Sequence, residues 1–283
     1  MKKRIWLVGR SGRLGSALEY RIHQLFQQYE LIATDQGDID ILNTLEVDRF
    51  ADMNRPDIIV DCAAISDVTW CEEHPEEAYA LHGIGARNLA VAAENIGAWI
   101  FYLSTDFVYS DDHTTPYTEF DLPNPKTVYG KSKRAGEMFV RTHCAKHTIF
   151  RSSWMYGKKM LIDLIAKAKK EGVVDVGANR IGSPTSSLVL SETILSFFEW
   201  QELGTFHISC EGEASRKEFA EEILRLAGVQ AEVVSGDPQG TYAHLLPKYS
   251  VLDNMMLRIT GHATMPHWKE ALKDFMGQRK IGG

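Results

Sequence analysis

An α/β protein built on a parallel, doubly wound sheet is the fold this sequence predicts, and three observations predict it. Short apolar runs alternate with amphipathic helical segments as far as Arg151. The first run passes directly into Gly9-Arg10-Ser11-Gly12-Arg13-Leu14-Gly15 and then into a helix. The second run ends in Asp35, about 20 residues past the last of those glycines. Strands separated by helices are joined by crossovers rather than hairpins, which makes their pairing parallel.

Arg4-Ile5-Trp6-Leu7-Val8 is bounded by charge and glycine and reads as a buried strand. In the turn after it, glycines permit close approach of main-chain N–H groups to a pyrophosphate, and the next helix adds the positive end of its dipole. The spacing is G-x-x-G-x-x-G rather than G-x-G-x-x-G. Leu18, Ile22, Leu25 and Phe26 give Ser16 to Tyr29 a helical period. Glu30 to Asp35 is the second strand, and a terminal carboxylate suits an adenosine ribose. After Asp38-Ile39-Asp40-Ile41 a helix runs to Met53. Pro56 to Ala64 is the third strand, whose small last residues leave room for a ligand across the sheet edge.

Pro75, followed by Glu76 and Glu77, opens a helix that extends to Ile96 and is weakened in its middle by Gly83 and Gly85. Trp99 to Leu103 is strand four and delivers Ser104-Thr105-Asp106. A polar loop from Ser110 to Pro125 precedes the helix carrying Tyr129, and Thr148 to Arg151 is a further strand. Beyond Gly157 the pattern predicts helices at Met160 to Lys170, Leu188 to Trp200, Phe219 to Ala227 and His267 to Met276. Ser215 and Glu218 form a capping box for the third of these. Gly182-Ser183-Pro184-Thr185 is a turn, Gly204 to Cys210 a strand, and the end at Gly283 is polar and frayed.

A net charge of −7 supplies no basic surface for nucleic acid. No apolar stretch reaches the roughly 18 residues of a membrane span, and Lys2-Lys3-Arg4 leads into a strand rather than a signal-peptide core. A cytoplasmic protein without a membrane partner is expected. The four cysteines contain no C-x-x-C pair and the ten histidines no H-x-x-x-H pattern, so no metal site is expected.

Tyr129 and Lys133 sit at i and i+4, on one face of a helix. Alone, that spacing also fits an ordinary helix surface. Behind a dinucleotide turn it fits a proton donor whose phenol is made more acidic by a neighbouring ammonium. Thr105, at the end of strand four, can then hydrogen-bond a substrate oxygen.

The ordered set Gly9-x-x-Gly12-x-x-Gly15, Cys62-Ala63-Ala64, Leu103-Ser104-Thr105-Asp106-Phe107-Val108-Tyr109 and Tyr129-Gly130-Lys131-Ser132-Lys133 resembles the extended short-chain dehydrogenase/reductase superfamily. With Arg151 to Gly157, Gly182 to Thr185 and Tyr249 to Asp253, the likeness is closest to the dTDP-4-dehydrorhamnose reductase family and covers most of the chain. The resemblance implies a Rossmann-type sheet over 1–155, with 187–210 returning to it, and a smaller C-terminal α/β substrate region over 156–283. It implies NAD(P)H-dependent reduction of the C4 ketone of a nucleotide-linked 6-deoxy sugar, with Tyr129, Lys133 and Thr105 catalytic. Gly12, Arg13 and Leu14 would hold the pyrophosphate, with Gly9 and Gly15 also binding the cofactor, and Asp35, Asp40 and Ile41 would surround the adenosine. Ala63, Ala64, Ser104, Tyr129 and Lys133 would lie towards the nicotinamide, and Val68, Thr105, Asp106 and Trp154 at the substrate.

Asp35 favours NADH, whereas Arg10 and Arg13 offer a site for the extra phosphate of NADPH, towards which the balance tips slightly. Some positions depart from the family pattern. Leu246 stands where an arginine precedes Pro247, with Lys158 or Lys248 as candidate substitutes. Ala178-Asn179 and His82 also differ. Ala17 replaces a glutamate that bridges dimers through Mg²⁺ in some members, so a monomer or an unbridged homodimer is expected. These departures keep two other readings open. One is a reductase or epimerase of a different nucleotide sugar or small ketone. The other is a non-catalytic NADP-binding regulator resembling the methionine adenosyltransferase β subunit.

Overall fold

Lys3–Val8 (β1) occupies the middle of the sheet because its last four residues are buried, as a strand covered on both faces requires. The computed structural model describes residues 2–25, 28–110, 113–236, 240–262 and 264–281. Phe26, part of the loop before the Tyr129 helix, and the Gly283 end lie outside the described residues. β1 pairs in parallel with Tyr29–Thr34 (β2) on one side and Ile58–Asp61 (β3) on the other. Trp99–Thr105 (β4) and His147–Ser152 (β5) continue the sheet. Outside β5, Gly204–His207 pairs in parallel, from Gly204 against Thr148 to His207 against Arg151. Chain order reverses direction at β1, so the crevice between the ends of β1 and β3 is the topological switch point. Asp61 is level with Tyr102, so Leu103, Ser104 and Thr105 project beyond the end of β3.

Arg13–Leu25 (α1) and Ser187–Trp200 cover one face of the sheet, burying Leu14, Leu18, Ile194, Phe197 and Phe198. Thr44–Asn54 (α2) and Ala86–Ile96 cover the other face with Val47, Ala51, Leu89 and Ala93. Each fully buried Leu, Ile or Phe in these layers contributes roughly 1.5–3 kcal/mol. Outside the sheet, Lys158–Glu171, Arg216–Leu226 and Trp268–Arg279 pack around Tyr156, Phe219 and Phe275, and Ala17 of α1 belongs to the same cluster. The expected capping box is formed: the Ser215 hydroxyl accepts from the Glu218 N–H, and the Glu218 carboxylate accepts from the Ser215 N–H. Among the described residues no helix is long and apolar enough to cross a membrane.

The single helix expected from Pro75 to Ile96 is instead three pieces: Pro75–Tyr79, a π-helical segment Ala80–Gly85, and Ala86–Ile96. Both weakening glycines fall in the π segment. A Cβ at Gly85 would lie 2.6 Å from Ile41 Cδ1, so the wide turn lets the helix close against the loop carrying Ile41. The same turn carries His82 into the interior. Its Nε2 accepts from the Ile65 main-chain N–H at 3.1 Å, which leaves the proton on Nδ1, 2.8 Å from Ser132 Oγ. Burial, and secondarily the charge of Lys133, pushes His82 down to about 3, so it is neutral.

Candidate active site

Two clefts meet at the switch point. The smaller, about 220 Å³, runs from Asp35, Asp40 and Ile41 past Gly9 and Gly12 to Ala63 and Ala64. The larger, about 690 Å³, shares Ser11, Gly12, Cys62 and Ala64 with it and continues past Thr105 and Tyr129 to Trp154.

The three glycines do different things. Gly9 has φ +82°, and a Cβ there would lie 2.9 Å from the Ala63 nitrogen. A Cβ at Gly15 would meet the Gly9 carbonyl oxygen at 2.1 Å, so Gly15 sets how closely α1 starts against β1 and does not line either cleft. Gly12 lines both clefts. The N–H groups of Arg13 and Leu14, first in α1, donate to no main-chain carbonyl among the described residues and sit at the positive end of the helix dipole. An elongated furrow with free N–H groups at its centre and a carboxylate at one end fits a dinucleotide.

At that end the Asp35 carboxylate accepts from the Ser11 N–H and hydroxyl, both at 3.2 Å, and Arg10 Nε lies 3.6 Å away. Arg13 is not there. Its guanidinium donates to the Met155 carbonyl at 3.1 Å and to Ser66 Oγ at 2.8 Å, strapping the glycine turn across the larger cleft. Of the two arginines expected at a 2′-phosphate, only Arg10 is placed for one. Asp35→Ala removes the charge that repels that phosphate and frees Arg10. The ratio of NADPH to NADH specificity should rise on the order of tenfold, the change that about 1.4 kcal/mol produces. Comparing kcat/KM with the two cofactors checks this, and an unchanged ratio removes Asp35 from the ribose.

Val128–His143 is capped by Thr127, whose hydroxyl accepts from the Gly130 N–H at 3.0 Å. A Cβ at Gly130 would be 2.1 Å from the Phe107 carbonyl oxygen, so this close approach presses the helix onto the end of β4. It thereby sets Tyr129 and Thr105 in the wall of the larger cleft, with Val68, Asp106 and Trp154. The Thr105 hydroxyl donates to Asp106 at 3.0 Å and accepts from the Phe107 N–H. Asp106 is buried and also accepts from Ser153 Oγ at 2.9 Å, so its carboxylate already serves the loop after β4. Ser104 likewise spends its hydroxyl on Glu137, 2.6 Å away.

The electrostatics differ from the expectation at one point. Burial raises Tyr129 to about 12, helped by the charge of Asp106, while the Thr105 side chain and Arg13 act against that rise. Lys133, 2% exposed, lies with Nζ 4.1 Å from the centre of the Tyr102 ring. Burial lowers it to about 8 against the opposing pull of Asp61. Asp61, at the end of β3, is raised to about 6 by burial and held down from a higher value by Lys133. Lys133 and Asp61 thus oppose the effect of burial on each other from beneath the furrow, and the phenol is fully protonated at neutral pH.

The sequence assigns no role to several side chains at the site. His82 and Ser132 brace the Tyr129 helix from below, since the Ser132 hydroxyl donates to the Tyr129 carbonyl at 3.0 Å. Arg180 and Arg216 line the larger cleft together with Leu246, whereas Lys158 and Lys248 do not line it. Their convergence depends on strand pairing between distant segments, which no local pattern displays.

A dinucleotide furrow at a switch point, opening onto a cleft faced by a buried phenol, is the arrangement of an NAD(P)-dependent oxidoreductase of the extended short-chain dehydrogenase/reductase class. The chain belongs to the RmlD substrate binding domain family, whose model matches residues 3–281. It is 33% identical to the spore coat polysaccharide biosynthesis protein SpsK of Bacillus subtilis over 98% of both chains. To the dTDP-4-dehydrorhamnose reductase of Mycolicibacterium smegmatis it is 30% identical, over 97% of this chain and 85% of the relative. The solved structure of dTDP-4-dehydrorhamnose reductase from Bacillus anthracis, in complex with NADP, matches with a TM-score of 0.93 at 36% identity. That match covers 98% of this chain and 100% of the other.

Proposed function

We propose that this chain reduces the C4 ketone of a dTDP-linked 6-deoxy-4-keto sugar, at the expense of NADPH or NADH, in the supply of precursors for a surface polysaccharide. One observation carries the reading. Tyr129 and Thr105 line the cleft that shares Gly12, Cys62 and Ala64 with the dinucleotide furrow, so a ketone held between them is within reach of both. A nicotinamide held by the furrow between Gly12 and Ala64 would supply the hydride for the carbonyl carbon. The oxygen then needs a proton, and Tyr129, protonated at neutral pH, gives it as general acid. Thr105 orients that oxygen by turning its hydroxyl from Asp106 towards it. Lys133 holds positive charge beneath the site, and Val68 and Trp154 flank the sugar. Residues 1–155, with 187–210, hold the cofactor, and 156–283 contribute the rest of the substrate cleft. The reading is of a cytoplasmic enzyme, monomeric or dimeric without a Mg²⁺ bridge.

Purified protein mixed with NADPH and dTDP-4-keto-6-deoxyhexose should consume nicotinamide absorbance and yield the reduced dTDP sugar. Faster consumption with a UDP-linked keto sugar or a small ketone moves the substrate elsewhere. Cofactor binding without turnover on any of them identifies a binding protein instead.

A further inference from the structure

We propose that Arg180 and Arg216 form the anion-binding wall that holds the diphosphate of the substrate, an inference resting on the nucleotide-sugar reading above. The two residues are far apart in sequence and brought together by main chain. Ile181–Gly182 pairs antiparallel with Ala214–Ser215, and the Arg216 N–H donates to the Arg180 carbonyl at 3.0 Å. Both side chains line the larger cleft.

Their charges are not spent within the protein. Among the described residues neither guanidinium has a carboxylate partner, and Nε of each is buried without a hydrogen-bond partner. The carboxylate whose field reaches both is Asp106, already engaged by the Thr105 and Ser153 hydroxyls. Burial, then the charge of Arg180, pushes Arg216 down to about 10. Two half-buried cations side by side are costly unless an anion joins them.

Trp154 completes the site. Its φ of +39° places a bulky residue in the left-handed region, where strain accompanies function. Its indole occupies the space of the Gly182 side chain, since a Cβ there would lie 2.4 Å from the ring. The Arg216 guanidinium stacks over that ring, 4.3 Å from its centre. Planar guanidinium groups donate in pairs to phosphate oxygens, and two such groups match the two negative phosphoryls of a diphosphate better than a single sugar carboxylate. The missing arginine at Leu246 is explained by the same geometry, because Leu246 lines the cleft that Arg180 and Arg216 already make cationic.

The test compares wild type with Arg180→Gln, Arg216→Gln and the charge-preserving Arg216→Lys. Affinity for dTDP, thymidine and NADPH is measured by calorimetry, and KM for the dTDP-keto sugar by turnover. Each Gln variant should weaken dTDP binding and raise KM about ten- to a hundredfold, with thymidine and NADPH affinity unchanged. Arg216→Lys should fall between, keeping charge but losing the paired geometry, and thermal melts show that each variant is folded. Unchanged dTDP affinity in folded Gln variants overturns the proposal, as does a wild type that binds dTDP no better than thymidine. Should wild type bind dTDP through these arginines yet reduce no dTDP sugar, the functional reading fails while this one stands. Turnover with KM unchanged in the variants gives the reverse.

Discussion

Tyr129→Phe is expected to lower kcat by about 10²- to 10⁴-fold, the range that a positioned general acid supplies. The substitution removes one hydroxyl and leaves the ring, so its packing against His82 and Phe107 is retained. The phenol enters the reaction protonated, because burial holds it near 12. Loss of the hydroxyl therefore removes a donor, not a base. NADPH affinity, measured by fluorescence titration, should change little, which separates a proton-transfer defect from a binding defect. A kcat within threefold of wild type would remove Tyr129 from the proton step and direct attention to Thr105 or a water.

Glu137→Gln should destabilise the fold by about 3–5 kcal/mol at neutral pH, the usual consequence of leaving a buried charge without its partner. Glu137 is fully buried on the Tyr129 helix and accepts from Arg151 through both oxygens, at 2.8 and 2.7 Å. Arg134 and Ser104 also donate to it, each at 2.6 Å. Arg151 continues to the Tyr109 hydroxyl, 2.8 Å from His207 Nε2. Removing the carboxylate strands Arg151, which is 1% exposed. Despite burial, these donors lower Glu137 to about 2, below its ordinary 4.5. Its ionisation therefore stabilises the fold fully above about pH 4.5, and that contribution is lost as pH falls towards 2. Urea unfolding of both proteins across that range should show the gap narrowing with acid. A gap under about 1 kcal/mol at neutral pH would mean that Arg134 and Arg151 are compensated elsewhere.

Much of the site is legible in local sequence because its parts are turns and helix faces. The glycine turn, Asp35 at a strand end and the i, i+4 pair each declare themselves through spacing, and the capping box of Ser215 and Glu218 does the same for a helix start. Boundaries are less legible. α1 begins at Arg13 rather than Ser16, because Gly15 permits the helix to start directly against β1. The π segment at Ala80–Gly85 is marked in sequence only by two glycines, and its purpose depends on Ile41 and Ser132, which come from elsewhere in the chain.

Directions of side chains are the least legible. Arg13, Ser104 and Asp106 all fall within motif positions, yet Arg13 straps two loops, Ser104 supports Glu137, and Asp106 holds its own turn. Lys133 shares a helix face with Tyr129, but burial and then the charge of Asp61, at the end of β3, set its ionisation. Electrostatic effects depend on distance and burial, and neither can be read from an i, i+4 count.

By itself the sequence determined the layered α/β fold and the position of the glycine turn, since hydrophobic period, glycine spacing and helical repeat are local properties. Only the tertiary structure decided which charges remain free to meet a ligand. Arg13 is spent on Met155 and Ser66 and Lys133 is buried, while Arg180 and Arg216, unremarkable in sequence, have no carboxylate partner among the described residues of the cleft. The physical reason is that a charge is neutralised by what folding places around it, and those neighbours come from segments far apart in the chain.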